Sequence, residues 1–95
     1  MIVEYLRYTI PAEQQDAFIR DYAAAKEPLL RSPYALAFDM SQCAEDPSKF
    51  ILRIEWSSAE DHMKRFRASE EFRTFFGHIR AYVGMIDEMR HYTPC

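Results

Sequence analysis

The hydrophobic positions of the chain alternate with polar ones in four short stretches, which is the period of a β-strand. These stretches are residues 2–10, 34–43, 50–56 and 85–92, and they are rich in β-branched and aromatic residues. Proline, glycine or a polar turn segment separates each of them from the neighbouring parts of the chain. The pattern therefore predicts four strands, of which the second and third form a hairpin across the polar segment 44–48. In the second strand, the alternation predicts that Tyr34, Leu36, Phe38 and Met40 share one face.

Two longer segments have apolar residues at helical spacing. In the first, Phe18, Tyr22, Ala25 and Leu29 recur at intervals of four, three and four residues, which predicts a helix over about Ala12–Leu30.

The second helical segment is predicted in two parts. Ser57 and Ser58 precede the first part as caps, and Ala59, Met63 and Phe66 form its apolar face. Ser69 caps the second part, and Gly84 is predicted to end it. Its apolar stripe consists of Phe72, Phe75, Phe76, Ile79, Tyr82 and Val83.

The predicted order is βαββαβ, which indicates a single α+β domain over residues 1–95 with a ferredoxin-like fold. Its four strands form an antiparallel sheet, and both helical segments cover one face of it. The chain is 48% hydrophobic and 15% aromatic, which is rich for 95 residues. We therefore expect a homodimer, in which a second copy covers the other sheet face and completes a dimeric α/β barrel, and an apolar pocket for a ligand.

Charge and cysteine content narrow the classes of partner. The net charge is −3, with 12 basic and 15 acidic residues well mixed, so we expect no nucleic-acid partner. No apolar run is long enough for a membrane span, and the first residues lack the features of a signal peptide. Cys43 and Cys95 stand far apart without neighbouring ligands, which favours neither a disulfide nor a metal site. A cytoplasmic location is the expectation.

Three stretches carry a resemblance to a known family. They are IEWSSAEDHMKRFRASEEFRTFF in the centre, YTIPAEQQDAF near the start and EMRHY near the end. Together they resemble the antibiotic biosynthesis monooxygenase family over nearly the whole chain. The resemblance implies a cofactor-free monooxygenase that oxidises a hydrophobic phenolic or quinol-type compound with molecular oxygen. It leaves open a non-catalytic or stress-related ligand-binding module, and a proton-shuttling isomerase on the same scaffold.

The haem-degrading branch of that family can be compared residue by residue. The resemblance implies an Asn on the first strand, a Trp three residues before Ser69 and a ligating His seven residues after it. Here the first strand has no Asn, Phe66 replaces the Trp and Phe76 replaces the His. The chain therefore lacks the axial ligand that would anchor haem iron, and we expect neither a cofactor nor a metal.

The candidate site residues are chosen for chemistry that such a pocket needs. His62 flanks an apolar helix face and is the candidate general base, although a solvated His62 beside Asp61 and Lys64 is the alternative. His91 on the last strand is a second catalytic candidate. The candidate binding residues are Tyr34, Arg53, Trp56, Phe66, Phe72, Phe76 and Tyr82.

Ordinary structural roles compete with several of these assignments. Trp56 and the phenylalanines would also serve as core residues. Arg7, Arg53 and Glu55 lie within strands, where cross-strand ion pairs are an alternative to substrate contacts. Lys64, Arg65 and Arg67 are expected to form a solvated helix face.

Overall fold

The predicted ferredoxin-like α+β fold is confirmed by the computed structural model, which describes residues 1–95. All four strands pair antiparallel in one sheet. The helices pack on one face of this sheet. The regular elements are β1 (Ile2–Thr9), α1 (Gln15–Arg31), β2 (Ala35–Gln42), β3 (Lys49–Trp56), α2 (Glu70–Ile79) and β4 (Ile86–Tyr92). The order of the strands in the sheet is β2-β3-β1-β4.

Alternation along the central strands decides which side chains face the helices. In β1 the even-numbered residues point towards the helices, and in β3 Phe50, Leu52, Ile54 and Trp56 do so. These β3 residues are all buried, as a half-covered strand requires. The core between sheet and helices therefore consists of alternate residues from β1 and β3 and the apolar face of α1.

The core is built on an aromatic cluster around Phe18 of α1. The Phe18 ring has no exposed surface, and its centroid lies 4.8 to 5.1 Å from those of Tyr8, Tyr22, Phe50 and Tyr82. The pairs with Tyr8 and Tyr82 are edge to face, as aromatic pairs often are, and those with Tyr22 and Phe50 are tilted at 53° and 58°. The helical spacing of Phe18 and Tyr22 is thus confirmed as the buried stripe of α1.

The predicted faces of β2 are wrong at its start. The pairing with β3 shifts between Ala35 and Ala37, so the strand contains an irregularity at Leu36. Ala35 is buried while Leu36 is 54% exposed, the reverse of the expected alternation. An extra residue on one strand re-aims the side chains beside it, and simple alternation cannot anticipate this.

The second helical segment also differs from its prediction. Residues Asp61–Phe66 form a π-helical turn, in which the Arg67 amide donates to the His62 carbonyl, five residues earlier. The helix α2 begins after Ser69, as predicted, and the Ser69 hydroxyl accepts from the Phe72 amide. It ends at Ile79 rather than Gly84, and a 3₁₀ segment, Arg80–Met85, leads into β4. No residue has a positive φ, so Gly84 does not act as a left-handed helix terminator.

The face of the sheet opposite the helices mixes apolar and charged side chains. Val3 and Ile51 lie on it, and Tyr5 and Tyr92 pack edge to face with centroids 5.3 Å apart. Arg53 lies on this face too, where its Nη1 is 2.6 Å from Glu55 Oε2. None of the helices is both long enough and apolar enough to cross a lipid bilayer.

Candidate functional site

A cavity of about 260 Å³ lies between the sheet and the second helical segment. Of its 17 lining residues 14 are hydrophobic, and the exceptions are Glu4, His62 and Arg67. Ligand pockets combine this kind of apolar lining with a few convergent polar groups. The three polar residues are therefore the candidates for chemistry.

Glu4 enters the cavity because it occupies an inward position of β1. Its neighbours on that face, Ile2 and Leu6, are apolar, and Glu4 itself is only 2% exposed. Its Oε1 accepts a 3.0 Å hydrogen bond from the Trp56 indole N–H. Burial raises the pKa of Glu4 to about 7, although the bond from Trp56 and the charge of Arg67 act in the opposite direction. A carboxyl group with this pKa exchanges protons near neutral pH.

His62 is buried, so the alternative of a solvated histidine is wrong. Its ring stacks on Trp56 with centroids 4.2 Å apart and planes 11° apart. Its Nε2 lies 3.6 Å from Glu4 Oε1, and its Nδ1 lies 2.7 Å from His91 Nε2. Burial, and then the charges of Arg67 and His91, lower the pKa of His62 to about 3. The ring is therefore neutral at physiological pH.

His91 lies beside Glu4 on the same sheet face, because the two are paired in the β1–β4 register. It is half-buried, and burial followed by the charge of Arg67 lowers its pKa. With both imidazoles neutral, one ring N–H donates to the other ring's nitrogen in the 2.7 Å contact. Glu4, His62 and His91 thus form a row of adjacent titratable groups, which starts inside the cavity and ends at β4, the edge strand of the sheet.

The same three residues also lie close enough together to bind a metal ion. Glu4, His62 and His91 each offer one ligand atom, and these atoms lie within 4.8 Å of one another. The two neighbours of His62, however, meet different nitrogens of its ring. His62 therefore bridges Glu4 and His91 through its two ring nitrogens, as proton transfer through the ring would require.

The π-helical turn is what brings Arg67 to the cavity. In an α-helix with 3.6 residues per turn, a residue five positions on lies about 140° further round the axis. The hydrogen bond between residues five apart instead closes a wider turn, and His62, Phe66 and Arg67 all line the cavity. The expectation that Arg67 belongs to a solvated face is therefore wrong, whereas Lys64 and Arg65 are exposed as expected.

The other candidates divide between the cavity and the rest of the molecule. Four of the predicted binding residues line the cavity, namely Trp56, Phe66, Phe72 and Phe76. Tyr34 packs against the core outside it, and Tyr82 bonds through its hydroxyl to Asp21 of α1. Arg53 lies on the opposite face of the sheet.

Sequence reasoning missed Glu4 and Arg67. Glu4 had a signal in the sequence, because it is a carboxylate at an inward position of a strand whose other inward residues are apolar. Arg67 had no such signal in the sequence. Its direction depends on the π-helical turn, and the spacing of apolar residues does not distinguish a π-helical turn from an α-helical one.

Comparisons with known proteins agree with this architecture. The family model described as antibiotic biosynthesis monooxygenase matches residues 1–77. The uncharacterised protein YczJ of Bacillus subtilis is 26% identical over 57 residues, which cover 60% of this chain and 60% of YczJ.

Solved structures share the fold at low sequence identity. A Bordetella bronchiseptica protein described as belonging to the antibiotic biosynthesis monooxygenases is 18% identical, with a TM-score of 0.82 over 99% of this chain and 96% of that one. SnoaB of Streptomyces nogalater, described as a cofactor-independent oxygenase, is 16% identical, with a TM-score of 0.79 over 99% of this chain and 92% of that one. A conserved protein of Methanosarcina mazei is 18% identical, with a TM-score of 0.80 over 99% and 92%. At these identities the likeness concerns the fold alone.

Proposed function

The chain belongs to the antibiotic biosynthesis monooxygenase family, and on that premise we propose that it is a cofactor-independent monooxygenase of a small phenolic or quinol-type compound. The observation that carries the proposal is a buried carboxyl group, Glu4, in a cavity whose lining is mainly hydrophobic. Such a cavity binds an aromatic compound, removes water from it and offers it a base.

The first step is removal of a proton from the bound substrate. A carboxylate whose conjugate acid has a pKa of about 7 is a stronger base than an ordinary glutamate, whose pKa is 4.5. His62, with a pKa of about 3, is a weak base in its own right. We assign it instead to carrying the proton from Glu4 at one ring nitrogen to His91 at the other.

The second step needs no bound redox group, because the substrate anion is itself the reductant. The electron-rich carbanion gives one electron to dioxygen. The resulting substrate radical and superoxide then form a C–O bond, which gives a peroxide on that carbon. The outer oxygen of the peroxide is then protonated, and the carbon loses its remaining hydrogen as a proton. The O–O bond breaks, and the outer oxygen leaves as water. A CH₂ group and O₂ thereby yield a carbonyl group and water. The hydrophobic rings of the cavity, Phe66 and Phe72 among them, keep bulk water from the anion.

The test is oxygen uptake by chelator-treated protein with a panel of anthrones and dihydroquinones. We expect uptake above the buffer rate, with one labelled oxygen atom from ¹⁸O₂ in the product. Glu4→Gln should reduce the rate about 100-fold or more, because it removes the base and keeps the shape. Glu70→Gln on the exposed start of α2 is the matched control. Uptake that is unchanged in Glu4→Gln would contradict the role of Glu4, and no uptake with any compound would contradict the oxygenase.

A proton-shuttling isomerase is the second candidate. The row of side chains Glu4, His62 and His91 could return a proton to another carbon of the substrate as readily as release it to water. In that case the absorbance of a ketonic or enolic substrate changes while dissolved oxygen stays constant. Saturable binding with neither change would identify a binding module.

A homodimer is also proposed, with the face of the sheet opposite the helices as the interface. Tyr92 on that face is 42% exposed, and Leu36 at the irregular start of β2 is 54% exposed. Apolar surface of this kind is covered at low cost by a second copy. Light scattering after size exclusion should give twice the chain mass of 11.3 kDa. A monomer at micromolar concentration would contradict the proposal.

A further inference from the structure

Arg67 places an unpaired positive charge on the wall of the cavity. None of the ion pairs of the protein includes it, and no hydrogen bond of its guanidinium to another side chain is formed. The other unpaired arginines, Arg20, Arg73 and Arg80, are exposed, whereas Arg67 is half-buried. A guanidinium that is partly removed from water without a carboxylate partner is costly, and proteins usually provide one.

The surroundings hold the guanidinium in place without neutralising it. Its central carbon lies 5.7 Å from the centroid of the Phe72 ring, within the range of a cation–π contact. The backbone bond from Arg67 to the His62 carbonyl fixes the start of the side chain. Both contacts leave the N–H groups of the guanidinium free for a ligand in the cavity.

The nearest possible counter-charge inside the cavity is Glu4, and it is uncharged for part of the physiological range. Its pKa of about 7 means that the carboxyl is largely protonated below neutral pH. His62 and the hydrophobic lining are neutral as well. The cavity lining therefore has a net positive charge below pH 7, which is an unusual property for so apolar a space.

We propose that the ligand of this cavity is an aromatic compound with a carboxylate substituent, which pairs with the guanidinium of Arg67 while its ring system lies against Trp56, Phe66 and Phe72. Arginine binds carboxylates through two parallel hydrogen bonds, which gives orientation as well as affinity. Orientation matters here because the reacting carbon must face Glu4 on the sheet. The inference concerns the substrate class of the proposed oxygenase, but it can be tested by binding alone.

The size of the cavity agrees with a small acid. Its volume of about 260 Å³ lies just below the usual range for drug-sized ligands, about 300–1,000 Å³. A compound of about two fused rings with one acidic group fits this volume better than a large polycycle. A hydroxynaphthoic acid is a suitable probe, because it also carries the phenol that the proposed reaction requires.

The experiment is a fluorescence titration of Trp56, the only tryptophan, with 1-hydroxy-2-naphthoic acid and with its neutral primary amide at pH 6. We expect the acid to bind about 10-fold or more tightly than the amide, as a charge-assisted pair of hydrogen bonds provides. Arg67→Gln should reduce this ratio to near one. Arg73→Gln, on the exposed side of α2, should keep it.

A pH series separates recognition from a merely structural role of Arg67. As Glu4 ionises above pH 7, its charge should weaken binding of the acid while binding of the amide stays constant, and Glu4→Gln should remove this dependence. Equal affinity for acid and amide in the wild type, an unchanged ratio in folded Arg67→Gln, or no saturable signal with either probe would overturn the inference. A preserved preference for the acid without oxygen uptake would instead overturn the oxygenase and leave this inference standing.

Discussion

The indole N–H of Trp56 donates a 3.0 Å hydrogen bond to Glu4 Oε1, and both side chains are at most 2% exposed. The two residues are diagonal neighbours on adjacent antiparallel strands, since Glu4 pairs with Ile54 and Ile2 pairs with Trp56. A carboxylate in water accepts several hydrogen bonds, whereas this one has a single donor in an apolar cavity. That imbalance is why the pKa of Glu4 is raised despite the bond.

Replacing Trp56 by Phe should raise the pKa of Glu4 further. The Trp56 hydrogen bond favours the charged carboxylate, so its loss leaves burial with less opposition and the pKa should move above 7. Carbon-13 NMR titration of the glutamate side-chain carboxyls measures this directly, and the resonance missing in Glu4→Gln identifies the signal. A pKa that stays near 7 or falls in Trp56→Phe would show that the indole does not stabilise the carboxylate.

The pH dependence of stability should change in Glu4→Gln. The pKa of Glu4 is raised from 4.5 to about 7, so between these values the unfolded state loses a proton that the folded state keeps, and the free energy of unfolding falls as pH rises. The pKa of His62 is lowered from 6.5 to about 3, so between those values the same free energy rises with pH. In the wild type the two slopes oppose each other between about pH 4.5 and 6.5.

Glu4→Gln removes only the first slope. Its free energy of unfolding should therefore rise from pH 4.5 to 6.5, and above pH 7 it should exceed the wild-type value by up to about 3 kcal/mol. Urea unfolding followed by circular dichroism over this pH range measures both effects. Parallel curves for the two proteins would mean that Glu4 titrates alike in the folded and unfolded states.

Phe18 should be the most sensitive core position of α1. Truncation to Ala leaves a cavity among four aromatic neighbours, and such changes cost about 3–5 kcal/mol. Ile19 is the adjacent control, since it is 47% exposed and Ile19→Ala should cost about 0.5 kcal/mol or less. Equal losses at the two positions in urea unfolding would contradict the assignment of the buried face.

Ser69 should stabilise the start of α2 through its hydroxyl. The oxygen accepts from the Phe72 amide at 3.2 Å, and the hydroxyl donates to the Phe66 carbonyl at 2.6 Å. Ser69→Ala removes both bonds and should lower the free energy of unfolding by about 1 kcal/mol. Ser69→Thr keeps the hydroxyl and should retain most of the stability. A loss as large in the Thr variant would point to crowding at this position rather than to capping.

Much of the fold was predictable because it depends on local periodicity. The alternation in β1 and β3 and the spacing of Phe18 and Tyr22 each identify a buried face without any knowledge of the partner element. The cap at Ser69 is likewise a local signal. The errors occurred where a local irregularity overrides the period, at Leu36 in β2 and at Gly84 after α2.

The site was predictable only in part. The tryptophan and phenylalanine rings of the cavity could be selected as apolar residues near a helix cap, and His62 as a histidine beside them. That His62 is stacked, neutral and in contact with both Glu4 and His91 depends on strand register and on a distant pairing of β1 with β4. No pattern within a single segment contains that information.

The amino-acid sequence by itself determined the order of the elements, the faces of most of them and the surplus of aromatic side chains. These follow from steric and hydrophobic preferences that act over a few neighbouring residues. Only the tertiary structure decided that Glu4 would be a buried carboxyl group with a raised pKa and that Arg67 would face a cavity. Burial and charge act through space, so the pKa of a carboxylate and the partner of a guanidinium depend on residues that the folded chain brings together from all parts of its length.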